Sequence, residues 1–436
     1  MEIFVVNAFL YVALFVWAVR KKEECSPFYI FSILMYAAVS GMGIYIFNEN
    51  IYQNEIPDHR GLEYLSYAPY LLMFGMILLI LWPIKRLPKF ELGWSEKRLD
   101  RFSNLFILLI LSHLFFWLHG FQFGEASDLG DAYHMSVSGD LGLRYGSDVE
   151  VIVSKILRRL SICVTPIFFY LQFYRITKNQ KVGISIIYTC VGFFAGVVPA
   201  ILQGSRGSLF FSFFAMVFVY MNFKDDIPVK VKKVMYGLVI VSLSVLAFYV
   251  LTISVSRAKG DSDVAIERIF RYFGEPFLNL GLVYWNSTDV HTYGLRFFPK
   301  LIEWAGGFEL PDSKYGVDAL RDFWTRVYGV NMYYFKTLFG DLYLEFGVIG
   351  AYVASGLLAV GAWMVKKIKN PLICHFVLYY YARTLILWGI FGFGVTQNVC
   401  VDLAYAVVFW LIFSKFWNPR KQDEQEENDA DSKEAG

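Results

Sequence analysis

Four arginines stand out as groups able to do chemistry. They are Arg206 in "LQGSRGSLF", Arg257 in "TISVSRAKGDSD", Arg271 in "ERIFRYFGEPFLNLGLVYW" and Arg296 in "DVHTYGLRFFPKLIEW". They lie in separate segments with few carboxylates near them in sequence, an unfavourable set unless an anion neutralises it. A guanidinium fork matches phosphate oxygens two at a time, so diphosphate is the natural anion. At about 4 Å and an effective dielectric near 20 each charge pair gains about 4 kcal/mol, so two or three make a strong clamp. Arg268 adds a cation three residues before Arg271. Glu275 and His291 are two candidate general bases in the same stretches, and the sequence does not choose between them. Taken singly, each arginine reads more readily as an interface residue that snorkels to lipid phosphate than as a catalytic one. The set is what argues for a site.

The elements that must position these residues are membrane helices. Of the 436 residues 56% are hydrophobic and 18% charged, with 42 Phe, 29 Tyr and 11 Trp. A soluble domain carries about 25% charged residues. Apolar runs recur from end to end, each long enough to cross about 30 Å of hydrocarbon as a helix. Eleven spans are expected, near residues 2–19, 27–47, 65–83, 103–121, 156–174, 182–201, 207–222, 234–254, 341–364, 371–392 and 399–417. The first reads as a retained span, because "RKKEEC" follows it where a small-residue cleavage site would stand. Arg383 falls inside the tenth span and has to face the bundle interior or a cavity.

Alternate loops hold more than half of the 40 Lys and Arg, from Arg20–Lys22 through Lys85–Arg101, Arg175–Lys181, Lys224–Lys233 and Lys366–Lys369 to the tail. Short cytoplasmic loops collect basic residues, so the N-terminus is expected outside and the C-terminus inside. The organisation read from this is residues 1–254 as spans one to eight, 255–340 as one large outer loop, 341–417 as spans nine to eleven, and 418–436 as a polar, acidic, disordered tail. Within the large loop, residues 267–285 read as an amphipathic helix lying in the interface and stopped by Gly274 and Pro276.

Several classes are excluded or unsupported. A net charge of +2 spread over loops gives no nucleic-acid footprint. No GxxxxGK[ST] loop, HExxH or CxxC is present. The five cysteines read as buried small hydrophobes. Asp261 and Asp263 sit beside "AKG" and read as a solvated turn, not a metal pair. Neither metal nor cofactor is therefore expected.

The chain resembles the Wzy-type O-antigen and capsular repeat-unit polymerases. The resemblance rests on "GSRGSLF", Arg257 at the end of span eight, "RYFGEPFLNL", "HTYGLRF" and "GVNMYYFKTLFGDLYLEFGVIGAY", and spans about residues 180–365. It departs at "LEFG", where the family more often has aspartate before Phe-Gly, so Glu345 reads as helix packing. The resemblance implies an all-α, GT-C-like membrane glycosyltransferase of the bacterial inner membrane. It implies that glycan is moved from undecaprenyl diphosphate to the next lipid-linked repeat unit at the periplasmic face, with a chain-length regulator as a further partner. Arg206, Arg257, Arg271 and Arg296 would hold the diphosphate, Glu275 or His291 would take the hydroxyl proton, and Arg268, Tyr272, Tyr293 and Arg383 would contact substrate. Trp285 and Trp304 add rings able to stack on sugars. An O-antigen ligase, which hands glycan from the same carrier to lipid A core, and a lipid-linked-glycan transporter stay open beside the polymerase.

Overall fold

In a computed structural model, residues 2–49, 65–121, 146–202, 206–257, 262–285, 287, 289–306, 317–392 and 397–416 are described. Among them every regular element is helical. In chain order they are α1 (Glu2–Arg20), α2 (Pro27–Asn48), α3 (Ala68–Leu81), α4 (Glu96–Gly120), α5 (Asp148–Thr177), α6 (Val182–Leu202) and α7 (Arg206–Phe223). There follow α8 (Val229–Arg257), α9 (Ser262–Asn279), α10 (Pro299–Gly306), α11 (Val317–Tyr328), α12 (Thr337–Val365), α13 (Pro371–Tyr381) and α14 (Gln397–Phe416).

Among the described residues, six helices are long and apolar enough to cross a membrane: Glu2–Arg20, Pro27–Asn48, Glu96–Gly120, Val182–Leu202, Thr337–Val365 and Pro371–Ile390. That is the make-up of an α-helical membrane protein, in which each backbone group must be satisfied within the chain. Start signals are visible locally. Ser26 accepts from the Tyr29 amide at 3.1 Å with Pro27 in the first turn of α2, and Ser147 caps α5 through the Glu150 amide.

The chain forms two compact units from discontinuous segments. One comprises 1–87, 257–364 and 380–401; the other comprises 88–256, 365–379 and 402–436. In the first unit, buried tyrosines supply hydroxyls where helices become irregular. Tyr36 donates to the Ile386 carbonyl (3.0 Å) in the π-turn 382–387, and Tyr381 donates to Ile80 (2.7 Å) where α3 tightens into a 3-10 turn. Tyr70 donates to Phe277 (3.0 Å) before the π-turn 280–284. These bonds replace the water that such carbonyls would find outside a membrane.

The expected stop at Gly274 and Pro276 is corrected. Helix α9 runs through both to Asn279, and Phe277, Leu278, Leu280, Leu282 and Val283 are buried. Gly274 lies against α2: a Cβ there would sit 2.8 Å from the Gly43 nitrogen. This end of α9 is core, not an interfacial helix; the neighbour that removes its surface is α2. In the second unit Asp100 receives both Arg175 (2.6 Å) and Lys181, and Arg159 pairs with Asp402. The tail and Asp261 lie outside the described residues.

Candidate functional site

Helix α12 is broken. Gly347 has φ 70° and ψ −177°, a backbone that L-residues rarely adopt, so residues before it end one helix and those after it begin another. The break frees carbonyls of the preceding turn. The segment around 291–296 accepts this invitation: the Tyr293 amide donates to the Glu345 carbonyl at 2.9 Å, and His291 Nδ1 bonds the Leu344 carbonyl at 3.0 Å. A carbonyl can only accept, so the proton of a neutral His291 sits on Nδ1 and the lone pair on Nε2. A Cβ at Gly347 would lie 3.1 Å from Nε2. Glycine thus serves twice here, in the backbone turn and in the space beside the imidazole.

The same segment wraps the Glu345 carboxylate, which is fully buried. Its Oε1 accepts from Thr292 Oγ1 (2.9 Å), the Gly294 amide (2.7 Å) and the Arg296 amide (3.2 Å). Its Oε2 accepts from Arg296 Nε (3.2 Å) and Tyr328 OH (3.1 Å). Positive φ at Tyr293 (50°) and Gly294 (104°) shapes the turn that aims these donors. Arg296 also gives Nη1 to Asp341 Oδ1 (2.9 Å) and Nη2 to the Asp341 carbonyl (3.1 Å). Burial alone would lower the Arg296 pKa, but Asp341, Tyr328 and Glu345 outweigh it and hold the guanidinium firmly charged. Burial raises the Tyr328 phenol, keeping it a donor.

A second buried cation adjoins this network. Lys336 Nζ donates to the Met332 (3.0 Å) and Tyr334 (2.9 Å) carbonyls and lies 5.4 Å from the Tyr284 ring centre. Tyr284 OH bonds the Asn331 and Tyr334 carbonyls, and Asn279 Nδ2 bonds that of Phe335 (3.0 Å). The turn leading into α12 is therefore wound inward around one ammonium. Burial pulls Lys336 down to about 8, with Asp341 opposing and Arg296 and Arg321 adding to the fall.

The expected site residues are divided by the structure. Arg296 was read as lacking carboxylates; it has two, 45 and 49 positions away. Arg271 Nε pairs with Glu275 Oε2 at 3.0 Å, and Asn279 holds Glu275 Oε1 at 3.0 Å, so Glu275 is buried and engaged on both oxygens. Both pairings correct the expectation of arginines free of acidic neighbours: the partners are brought in by the fold or by one helical turn. Tyr272 packs edge-on against Phe335 (4.9 Å) and is tilted against Phe391 (5.1 Å), a packing role; Tyr293 is 73% exposed, with its ring 6.3 Å from that of His291. Trp285 lies 5.0 Å from Tyr343, and Trp304 is exposed. Arg383, expected to face inward, is exposed and 5.9 Å from the Tyr380 ring at the start of the π-turn. Arg206 opens α7, Arg257 closes α8 and Arg268 lies in α9; their side chains are outside the described set.

Asp341, Thr292, Tyr328 and Lys336 were not anticipated, and Glu345 was assigned to packing. A signal existed: Asp341 and Glu345 stand four apart at the head of an apolar helix, on one face, where two unpaired acids would be costly. The chain matches no protein-family model, no curated protein and no solved structure.

Proposed function

We propose that this protein is a metal-independent membrane glycosyltransferase that polymerises undecaprenyl-diphosphate-linked repeat units at the periplasmic face of a bacterial inner membrane. In this reading the chain has eleven spans in a GT-C-like arrangement, with the N-terminus outside. The observation that carries the proposal is His291, whose Nδ1–H is fixed by the Leu344 carbonyl at 3.0 Å and whose Nε2 stays available. The acceptor hydroxyl oxygen attacks the anomeric carbon, its proton passes to Nε2, and the bond to undecaprenyl diphosphate breaks as the diphosphate leaves as an anion. His291 is preferred to Glu275 as base because both Glu275 oxygens already accept hydrogen bonds.

The roles of the arginines are revised. Arg296, shared between Asp341 and Glu345, is already neutralised and acts as a positioning residue that fixes the 291–296 turn. Arg206, Arg257 and Arg268 keep the diphosphate-holding role that the resemblance implies for such arginines, while Arg271 is engaged by Glu275.

A second reading, a transporter of lipid-linked glycan, is favoured by the break at Gly347, since transporters build sites from broken helices. The test is the glycan ladder of a deletion strain complemented by plasmid. Loss of long chains with one repeat unit left on the core supports polymerisation. Bare core supports a ligase. Reconstituted protein that moves the carrier across a bilayer without lengthening its glycan supports transport. Arg206→Ala and Arg257→Ala are each expected to shorten the ladder, with activity lowered about 10²–10³-fold and only partly restored by lysine. Full-length ladders in both alanine variants would count against the diphosphate assignment.

A further inference from the structure

The second unit contains a hollow of about 320 Å³ that the catalytic proposal does not use. It lies where α5 and α7 end, next to the segment that leads into α4. Helix α6, one of the membrane-crossing candidates, starts only a few residues after α5 stops. The hollow is therefore at the level where apolar helix gives way to polar chain.

Its lining carries both signs of charge: Lys89 and Lys178 with Glu91 and Asp226, beside the buried rings of Phe90 and Phe223. Among the described residues none of these four charges forms an ion pair, although Asp100, Glu275, Asp341 and Glu345 all do. All four are exposed, so water can satisfy each of them singly; an occupant carrying both signs complements all four at once. An anion alone would leave Glu91 and Asp226 facing it, and a cation alone would leave the lysines. The C-terminal ends of α5 and α7 add negative dipole ends, which favour a cation on that side.

We propose that this hollow binds the headgroup of a zwitterionic phospholipid, with its phosphodiester on Lys89 and Lys178 and a primary ammonium on Glu91 and Asp226. A primary ammonium has three N–H donors for the two carboxylates, whereas a quaternary one has none and depends on an aromatic face. The Tyr174 ring, the natural face, is already covered by Lys178 at 5.5 Å. Ethanolamine-type lipid is thereby selected over choline-type, and a glycerol headgroup lacks the cation altogether.

Native mass spectrometry of the full chain in detergent, titrated with phosphatidylethanolamine, phosphatidylcholine or phosphatidylglycerol of matched acyl chains, tests this. Ethanolamine lipid is expected to be retained at about tenfold lower concentration than the other two. The double variant Glu91→Gln/Asp226→Asn should erase that preference while Lys89→Ala/Lys178→Ala weakens all phosphodiesters. Equal or better retention of the choline or glycerol lipid, or a preference that survives the carboxamide variant, overturns the proposal. Soluble glycerophosphoethanolamine should fail to displace the lipid at equal concentration; displacement would mean that the ligand is the free headgroup and not a bilayer lipid. Because these readouts are binding and not glycan length, they stand or fall apart from the polymerase reading.

Discussion

Two stretches of the first unit contain a Phe-Gly pair beside a buried glutamate, Phe273-Gly274-Glu275 in α9 and Glu345-Phe346-Gly347 in α12. The outcomes are opposite. At Gly274 the helix continues, and the missing side chain lets α2 approach to backbone contact. At Gly347 the helix breaks, and an irregular segment takes the freed carbonyls. The glutamates diverge likewise. Glu275 is satisfied one turn away by Arg271 and Asn279, whereas Glu345 is held by residues 17 to 53 positions distant. A glycine's role is thus set by what the fold brings against it, and so is the reach of the carboxylate next to it.

The largest expected difference between the two regions is in stability. Glu345→Ala leaves Arg296 short of a partner and takes the acceptor from four further donors, so a loss of about 3–5 kcal/mol is expected. Glu275→Ala removes a more local pair and should cost about 1–3 kcal/mol. Thermal unfolding in detergent measures both, and equal losses would break the comparison.

Next is activity. His291→Ala is expected to lower glycan extension about 10²–10⁴-fold with little change in Tm, while Glu275→Gln keeps most of it. The reverse order would move the base to α9.

The two glycines come third. Gly274→Ala sets a methyl against the Gly43 backbone, which cannot swing aside, and should cost about 1–3 kcal/mol. Gly347→Ala should cost about 1–3 kcal/mol from its glycine-only backbone angles, and in addition crowd His291 Nε2, so that activity falls more than Tm. A Tm change without the extra activity loss would detach Gly347 from the site.

The smallest effect is a pH dependence. Lys336 titrates near 8 when folded and near its ordinary value of 10.5 when unfolded. Between these pH values the unfolded chain binds more protons, so stability should rise with pH across the window and be flat below about 8. The neutral amine keeps two N–H donors for its two carbonyls, so nothing is left unmet. Lys336→Met should flatten the rise in Tm between pH 8 and 10; an unchanged slope would place the titration elsewhere.

Much of this architecture is legible in the residues. Apolar runs long enough to cross hydrocarbon become helices such as Glu2–Arg20 and Val182–Leu202 because no other backbone satisfies itself in lipid. His291 was legible as a candidate because it stood in a polar stretch beside an arginine. The pairing of Arg296 was not, since its acids lie 45 and 49 residues on, within an apolar helix. Tyr272 looked like a sugar platform, but Phe335 and Phe391, distant in sequence, fill the space around its ring.

Length, composition and hydropathy alone determined that this is a helical membrane chain, because the hydrophobic effect and backbone satisfaction act residue by residue along each run. Which charges distant in sequence face one another, as Arg296 faces Asp341 and Glu345, was decided only by the tertiary structure. Coulomb pairing and desolvation depend on distance in space, and the break at Gly347 brings together segments that sequence separation keeps apart.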